Sequence, residues 1–222
     1  MRATATRVAA DPAKGHHYGM LRTLTGAPDL GGLRVDATAG RLLGARQVDS
    51  PNCDDRPPGQ APELLVVHGI SLPPGEFGGP WIDALFSNTL PADEHPYFAT
   101  LVGLRVSAHV LVRRDGSAVQ YVPFQRRAWH AGASRWRGRE RCNDFSIGIE
   151  LEGTDAAPYE PAQYQALAWI IAELCRAYPT LAPEAVVGHS DVAPGRKSDP
   201  GITFDWPLLR VRLRYLLEVR PA

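Results

Sequence analysis

The sequence predicts one α/β (α+β) domain, a central mixed β-sheet flanked by helices. Three observations carry this reading. Short apolar runs punctuated by Gly and Pro mark several strands. A later stretch repeats apolar residues at helical spacing. The order of these elements suits a mixed sheet with helices packed on it. The chain has 222 residues and fits one domain with room for a sizeable core.

Residues 1–44, rich in Ala, Gly, Thr and Arg, show no sustained period and read as a poorly ordered N-terminal extension, with the folded domain spanning 45–222. The exposed pair His16-His17 in that extension reads as incidental. Residues 50–62 hold four prolines and form a loop. Leu64-Leu65-Val66-Val67-His68 is a buried strand that stops at a histidine before Gly69. A Gly/Pro-rich loop follows, then a short helix around residues 81–86. Residues 107–113 and 117–122 are two strands joined by the hairpin signal Asp115-Gly116.

Residues 145–151 form a fourth strand. Ile147, Ile149 and Leu151 face one way; Ser146, Gly148 and Glu150 face the other. Residues 161–178 are a helix, with Pro161 in its first turn and Tyr164, Leu167, Ala168, Ile171, Leu174, Cys175 and Tyr178 on one stripe. Residues 185–189 form a fifth strand, again ending at a histidine. Asp205 can cap a last helix that starts near Pro207 and buries Leu209, Leu213, Leu216 and Leu217.

Twenty-four basic residues balance twenty-four acidic ones, so no strong field argues for nucleic acid or an anionic membrane as partner. Cys53, Cys142 and Cys175 are odd in number and form no CxxC pair, which argues against a disulfide framework. No apolar run reaches the length of a signal peptide or of a membrane span. The expected location is the cytoplasm. The sequence is silent on oligomeric state.

Two histidines, His68 and His189, sit at the carboxyl ends of apolar strands, where side chains open into a cleft. A turn-rich loop after His189 returns Asp199 ten residues later. Two imidazoles and a carboxylate make a three-ligand set for Zn²⁺ with a fourth position free for water. Spacing alone leaves a second reading open, two strand-end histidines and a loop-capping acid.

Several stretches bear on this choice: residues 64–68, Ser71 to Trp81 (SLPPGEFGGPW), Arg105 to His109 (RVSAH), Trp129-His130-Ala131-Gly132, Cys142 to Gly153 (CNDFSIGIELEG), Gly188-His189-Ser190-Asp191 and Lys197 to Gly201 (KSDPG). Together they resemble the AmpD-type 1,6-anhydro-N-acetylmuramoyl-L-alanine amidases over about residues 45–210. That resemblance implies the fold shared with phage lysozyme-type amidases and peptidoglycan recognition proteins. It implies zinc held by His68, His189 and Asp199, and hydrolysis of the amide between anhydro-N-acetylmuramic acid and L-alanine in small muropeptides during peptidoglycan recycling.

An amide is a poor electrophile and water a poor nucleophile, so the metal needs a general base beside it. Glu150, which matches the family's catalytic acid, is the candidate; Glu152, on the same strand face, is the rival. Lys197 is a candidate for stabilising the oxyanion. For substrate binding the candidates are Arg105 and Arg141 for peptide carboxylates, Trp129 for the sugar face or the core, and His130 for a carbonyl or the sugar. Tyr97 matches a family tyrosine near the metal. His109 reads as a hydrogen-bonded core residue, and His95 as a loop residue. Gly69 stands where family members often carry Asn, which implies loss of an amide contact to the substrate or metal shell. Two other readings are a muropeptide-binding module that does not cut, and a wall amidase acting on polymeric peptidoglycan. The complete ligand set argues against the first. The missing signal peptide argues against the second.

Overall fold

The computed structural model describes residues 30–219. In chain order the elements are β1 (Arg34–Asp36), β2 (Arg41–Leu43), β3 (Arg46–Gln47), β4 (Cys53–Asp55), β5 (Leu64–Ile70), α1 (Trp81–Phe86), α2 (Pro96–Ala99), β6 (Val110–Val112), β7 (Ala118–Gln120), β8 (Arg126–Ala128), β9 (Arg135–Trp136), β10 (Arg139–Glu140), β11 (Ser146–Glu152), α3 (Pro161–Ala177), β12 (Val186–Gly188), α4 (His189–Val192) and α5 (Trp206–Val219).

Six strands form the main sheet in the order β12-β5-β11-β6-β7-β3. β12, β5, β11 and β6 run parallel, β7 turns back antiparallel to β6, and β3 lies parallel to β7. The turn from β6 to β7 is the expected hairpin: Gly116 adopts φ +84°, and Asp115 Oδ1 accepts from Ser117 N at 2.9 Å. The mixed sheet predicted from the sequence is therefore the sheet observed.

One face of the sheet is covered by α3 and α5. Leu65, Val67, Ile147, Ile149 and Leu151 meet Leu167, Ile170, Ile171, Leu174, Leu209 and Leu213 in a single apolar cluster. α3 begins where Pro161 needs no amide donor, and Gln163 Oε1 turns back to accept from Glu160 N at 3.0 Å. Asp205 Oδ1 accepts from Leu208 N at 2.8 Å and starts α5.

The other face carries two smaller clusters. Leu64 and Val66 belong to one, with Ala131, Phe145 and Val192. Ile70 packs against the second, around Ile82, Phe86, Phe98 and Tyr121. His68 shares this face of β5 and lies between them.

Several boundaries differ from the sequence reading. Residues 30–44 are not a loose extension: β1 and β2 form a hairpin, Leu30, Leu33 and Leu42 are buried in the main cluster, and Trp169 Nε1 donates to the Leu33 carbonyl at 2.8 Å. Residues 1–29, with His16-His17, lie outside the described residues. The strand expected over 107–113 pairs only as Val110–Val112, so His109 stands just ahead of it. The strand expected over 185–189 ends at Gly188, and His189 opens α4. Among the described residues, no helix is long and apolar enough to cross a membrane.

Candidate active site

Parallel pairing of β5 with β11 sets Glu150 directly beside His68. Both side chains leave the sheet on the face opposite α3. β12 pairs with β5 on its other edge and delivers His189 at the first position of α4. The following loop is tied back on itself: Ser190 N donates to the Asp199 carbonyl at 3.0 Å, and Lys197 N to the Ala193 carbonyl at 3.0 Å. The Tyr159 hydroxyl donates to the Pro200 carbonyl at 2.8 Å and anchors the far end of that loop. These ties bring Asp199 against the two histidines.

His68 Nδ1 lies 2.9 Å from His189 Nδ1 and 3.2 Å from Asp199 Oδ2, and His189 Nδ1 lies 3.0 Å from the same oxygen. Too few hydrogens are available for these contacts. The Ala131 carbonyl, 3.3 Å from His189 Nε2, can accept from the ring tautomer that leaves Nδ1 bare. A bare nitrogen 3.0 Å from a carboxylate oxygen is repulsive unless a cation stands between them. Burial pulls the His68 pKa from 6.5 down to about 4, so the His68 ring supplies no charge there at neutral pH. Three donor atoms within 4.8 Å of one another, two of them imidazole nitrogens, are the kind of set that divalent zinc takes. The residues present fit a metal ion.

Glu150 is buried, and its Oε2 has no hydrogen-bond partner. Its carboxyl is pushed well above the usual carboxylate range, first by burial and then by the charge of Asp199, while Lys197 pulls the other way. Lys197 is exposed and lines the same cleft. That cleft encloses about 570 Å³ and is also lined by His68, His189 and Asp199 at its floor and by Tyr97, Arg105 and Trp129 on its walls. An unpartnered carboxylate and an ammonium beside a three-donor metal set can handle a water molecule and the charge it generates.

The N-acetylmuramoyl-L-alanine amidase family model matches residues 58–202, well over half of the chain. This chain belongs to that family. The 1,6-anhydro-N-acetylmuramyl-L-alanine amidase AmpD of Escherichia coli (strain K12) is 62% identical over 172 residues, covering 78% of this chain and 93% of the relative. A crystal structure of a selenomethionine derivative of AmpD superposes with a TM-score of 0.76 at 59% identity, over 82% of this chain and 98% of that one. A complex of the Escherichia coli amidase AmiD with the substrate anhydro-N-acetylmuramic acid-L-Ala-D-γ-Glu-L-Lys is 36% identical. It covers 71% of this chain and 60% of AmiD, with a TM-score of 0.50.

Within the amidase, several expected site residues stand elsewhere. Arg141 does not line the metal cleft: it pairs with Asp144 at 3.2 Å and borders a separate hollow beside Arg135, Val192 and Pro194. Glu152 is not free to act as a base, because its Oε1 accepts from Gly78 N at 2.6 Å and Arg113 Nη1 at 3.0 Å, and Oε2 from Arg114 N at 3.3 Å. It pins the Gly-rich loop instead. His130 lines the cleft, but both its ring nitrogens are engaged inside the protein, with His68 Nε2 at 2.9 Å and Ser146 Oγ at 3.0 Å. It is not free to hold a substrate carbonyl.

Trp129 is half-buried and at the cleft wall, with Nε1 donating to Asp54 Oδ1 at 3.2 Å. His109 is a core residue, as the sequence suggested: Nδ1 accepts from Gly148 N at 3.0 Å and Nε2 donates to the Arg126 carbonyl at 3.0 Å. His95 caps α2 by accepting from Tyr97 N at 3.1 Å. A Cβ on Gly69 would lie 2.3 Å from the Tyr159 hydroxyl, so the space beside this glycine is filled by the group that holds the Asp199 loop.

Two further contributors lie outside the predicted site residues. Asn143 Oδ1 accepts from His130 N at 3.2 Å and Ala131 N at 2.8 Å, which sets the backbone behind both histidines. Arg56 donates to the carbonyls of Phe124, Asn143, Asp144 and Ser146 at 2.8–3.3 Å and fixes the entry to β11. Nothing in the local sequence around Arg56 separates it from the other arginines.

Proposed function

We propose that this amidase hydrolyses the amide between anhydro-N-acetylmuramic acid and L-alanine in small cytoplasmic muropeptides, as a step of peptidoglycan recycling, and that His68, His189 and Asp199 hold one zinc ion for it. The observation that carries the reading is the crowding of three ligand-type atoms with too few hydrogens for their mutual contacts, next to an unpartnered Glu150 Oε2 in one cleft. The substrate class is supported by the AmpD relatives, named for the anhydro sugar, and by the AmiD complex, which holds such a muropeptide.

Zinc at this position would supply Lewis acidity, polarising the scissile carbonyl and acidifying the attacking water. The protein's own groups do the rest. Glu150, uncommitted to any hydrogen bond through Oε2, takes the proton of the water as its oxygen adds to the carbonyl carbon. The Lys197 ammonium offsets the negative charge that collects on the carbonyl oxygen. As the carbon–nitrogen bond breaks, Glu150 returns the proton to the departing L-alanine amine, and the lactyl carboxylate remains on the sugar. Trp129 offers an aromatic face to the sugar, Arg105 a guanidinium to the peptide carboxylates, and Tyr97 a hydroxyl at the rim.

The test is incubation of the zinc-loaded protein with anhydromuramyl-tripeptide and, separately, with polymeric peptidoglycan. Release of free tripeptide from the first at a much higher rate is the expected result. Equal or faster cutting of the polymer would make it a wall amidase instead, and cutting of neither would contradict the reading.

A further inference from the structure

The His68 imidazole has two nitrogens with opposite duties. To bind a cation through Nδ1, the ring must keep its hydrogen on Nε2. Which nitrogen carries the hydrogen is set by what the other one meets. Nε2 of His68 meets His130 Nδ1 at 2.9 Å, with the two rings edge to face, their planes at 87°. His130 Nε2 in turn meets Ser146 Oγ at 3.0 Å. All three residues are buried, at 1%, 9% and 0% relative exposure.

The backbone is shaped around this chain. Ser146, Gly148 and Glu150 share one face of β11. A Cβ on Gly148 would stand 2.5 Å from His130 Cγ and 2.6 Å from Nδ1, so the ring occupies the space that the glycine leaves. Asn143 holds the His130 backbone from the other side.

Such a chain of three groups can run in two directions. In one, the Ser146 hydroxyl donates to His130 Nε2, His130 Nδ1–H donates to His68 Nε2, and the last hydrogen sits on His68 Nδ1, where it blocks a cation. In the other, His68 Nε2–H donates to His130 Nδ1, His130 Nε2–H donates to Ser146 Oγ, and His68 Nδ1 is bare. We propose that His130 and Ser146 are positioning residues that hold His68 in the second arrangement, and so control how tightly the amidase keeps its metal ion. Ser146 suits the far end because a hydroxyl oxygen accepts as readily as it donates. The inference rests on the zinc reading of the site. It goes beyond the ligand set by assigning a role to two residues that touch neither ion nor substrate.

The experiment is zinc affinity by competition with a chromophoric chelator, together with ¹⁵N NMR of the histidine rings in the zinc-loaded protein. Outer-shell partners of a metal-bound histidine are worth about 10- to 100-fold in metal affinity. H130L, which keeps bulk but no acceptor, should lose affinity in that range. H130N, whose Oδ1 can accept from His68 Nε2–H, should recover most of it; a packing role would favour Leu over Asn. S146A keeps the ring in place if H130L fails to fold, and should weaken zinc by about 10-fold, the lower end of the same range. The wild-type spectrum should show His130 protonated at Nε2 only. Zinc affinity unchanged in S146A and H130L, or His130 protonated at Nδ1 in the loaded protein, would overturn the proposal. A wild-type chain that binds no zinc would instead remove the metal reading beneath it.

Discussion

At the scale of single residues, Glu150 is where function and stability pull apart. Burial raises its folded pKa above the value in the unfolded chain. A group shifted that way stabilises the fold fully below its unfolded pKa, and that contribution is lost as pH rises through the folded pKa. Metal-free E150Q should therefore melt at a higher temperature than wild type at neutral pH, with the difference shrinking as pH falls toward 4.5, the ordinary carboxyl value. The same variant should bind zinc and lose most turnover. Thermal melts and a turnover assay on one preparation check both halves; a variant that is less stable at neutral pH, or that still turns over at near wild-type rate, contradicts this placement of the base.

The residue scale also shows what a sequence can and cannot disclose. His68, His189, Asp199, Glu150 and Lys197 stand in recognisable stretches, and the cleft gathers all five. Strand alternation places Ser146 and Gly148 on the face of Glu150, and they share it. The role of His130 was not legible, because its partner His68 lies 62 positions away and only the fold brings them to 2.9 Å. Glu152 looked equivalent to Glu150 by alternation alone. The amides and guanidinium that occupy it come from residues 78, 113 and 114, on distant segments.

At the scale of elements, the register of β5 against β11 is the device that makes the site. One residue of slip would send Glu150 into the apolar cluster on the opposite face. Gly148 leaves no room for a side chain in that pairing, since a Cβ there would meet the His130 ring. G148A should cost about 1–3 kcal/mol of stability by overpacking and should weaken zinc binding as His130 is displaced. Chemical denaturation and chelator competition measure the two effects; an alanine variant with wild-type values in both would show that the ring has room to move.

Long elements were readable because period needs length. α3 and β11 show 3.6- and 2-residue repeats over 17 and 7 residues. β3, β9 and β10 have two residues each, too few for any period, and their pairing is decided by distant partners.

At the scale of the whole molecule, one apolar cluster ties the N-terminal hairpin, the central strands, α3 and α5 together. Leu30, Leu33 and Leu42 join it from a stretch that has no repeating pattern, so the folded domain begins ahead of residue 45, where sequence pattern alone places its start. A chain starting at residue 45 should consequently unfold at lower denaturant than one starting at residue 30. L167A, at the buried centre of α3, should lose about 2–5 kcal/mol. Equal midpoints for the two truncations would mean that the hairpin rests on the core without supporting it.

The amidase mechanism proposed here depends on one metal ion held by His68, His189 and Asp199. The most direct measurement is turnover of anhydromuramyl-tripeptide by chelator-stripped protein as zinc is returned, with bound metal counted at each step. Activity should be lost on stripping and rise in proportion to zinc until one ion is bound per chain, with D199A failing to hold the ion. Full turnover by the stripped protein, or a D199A variant that binds zinc as tightly as wild type, would contradict it.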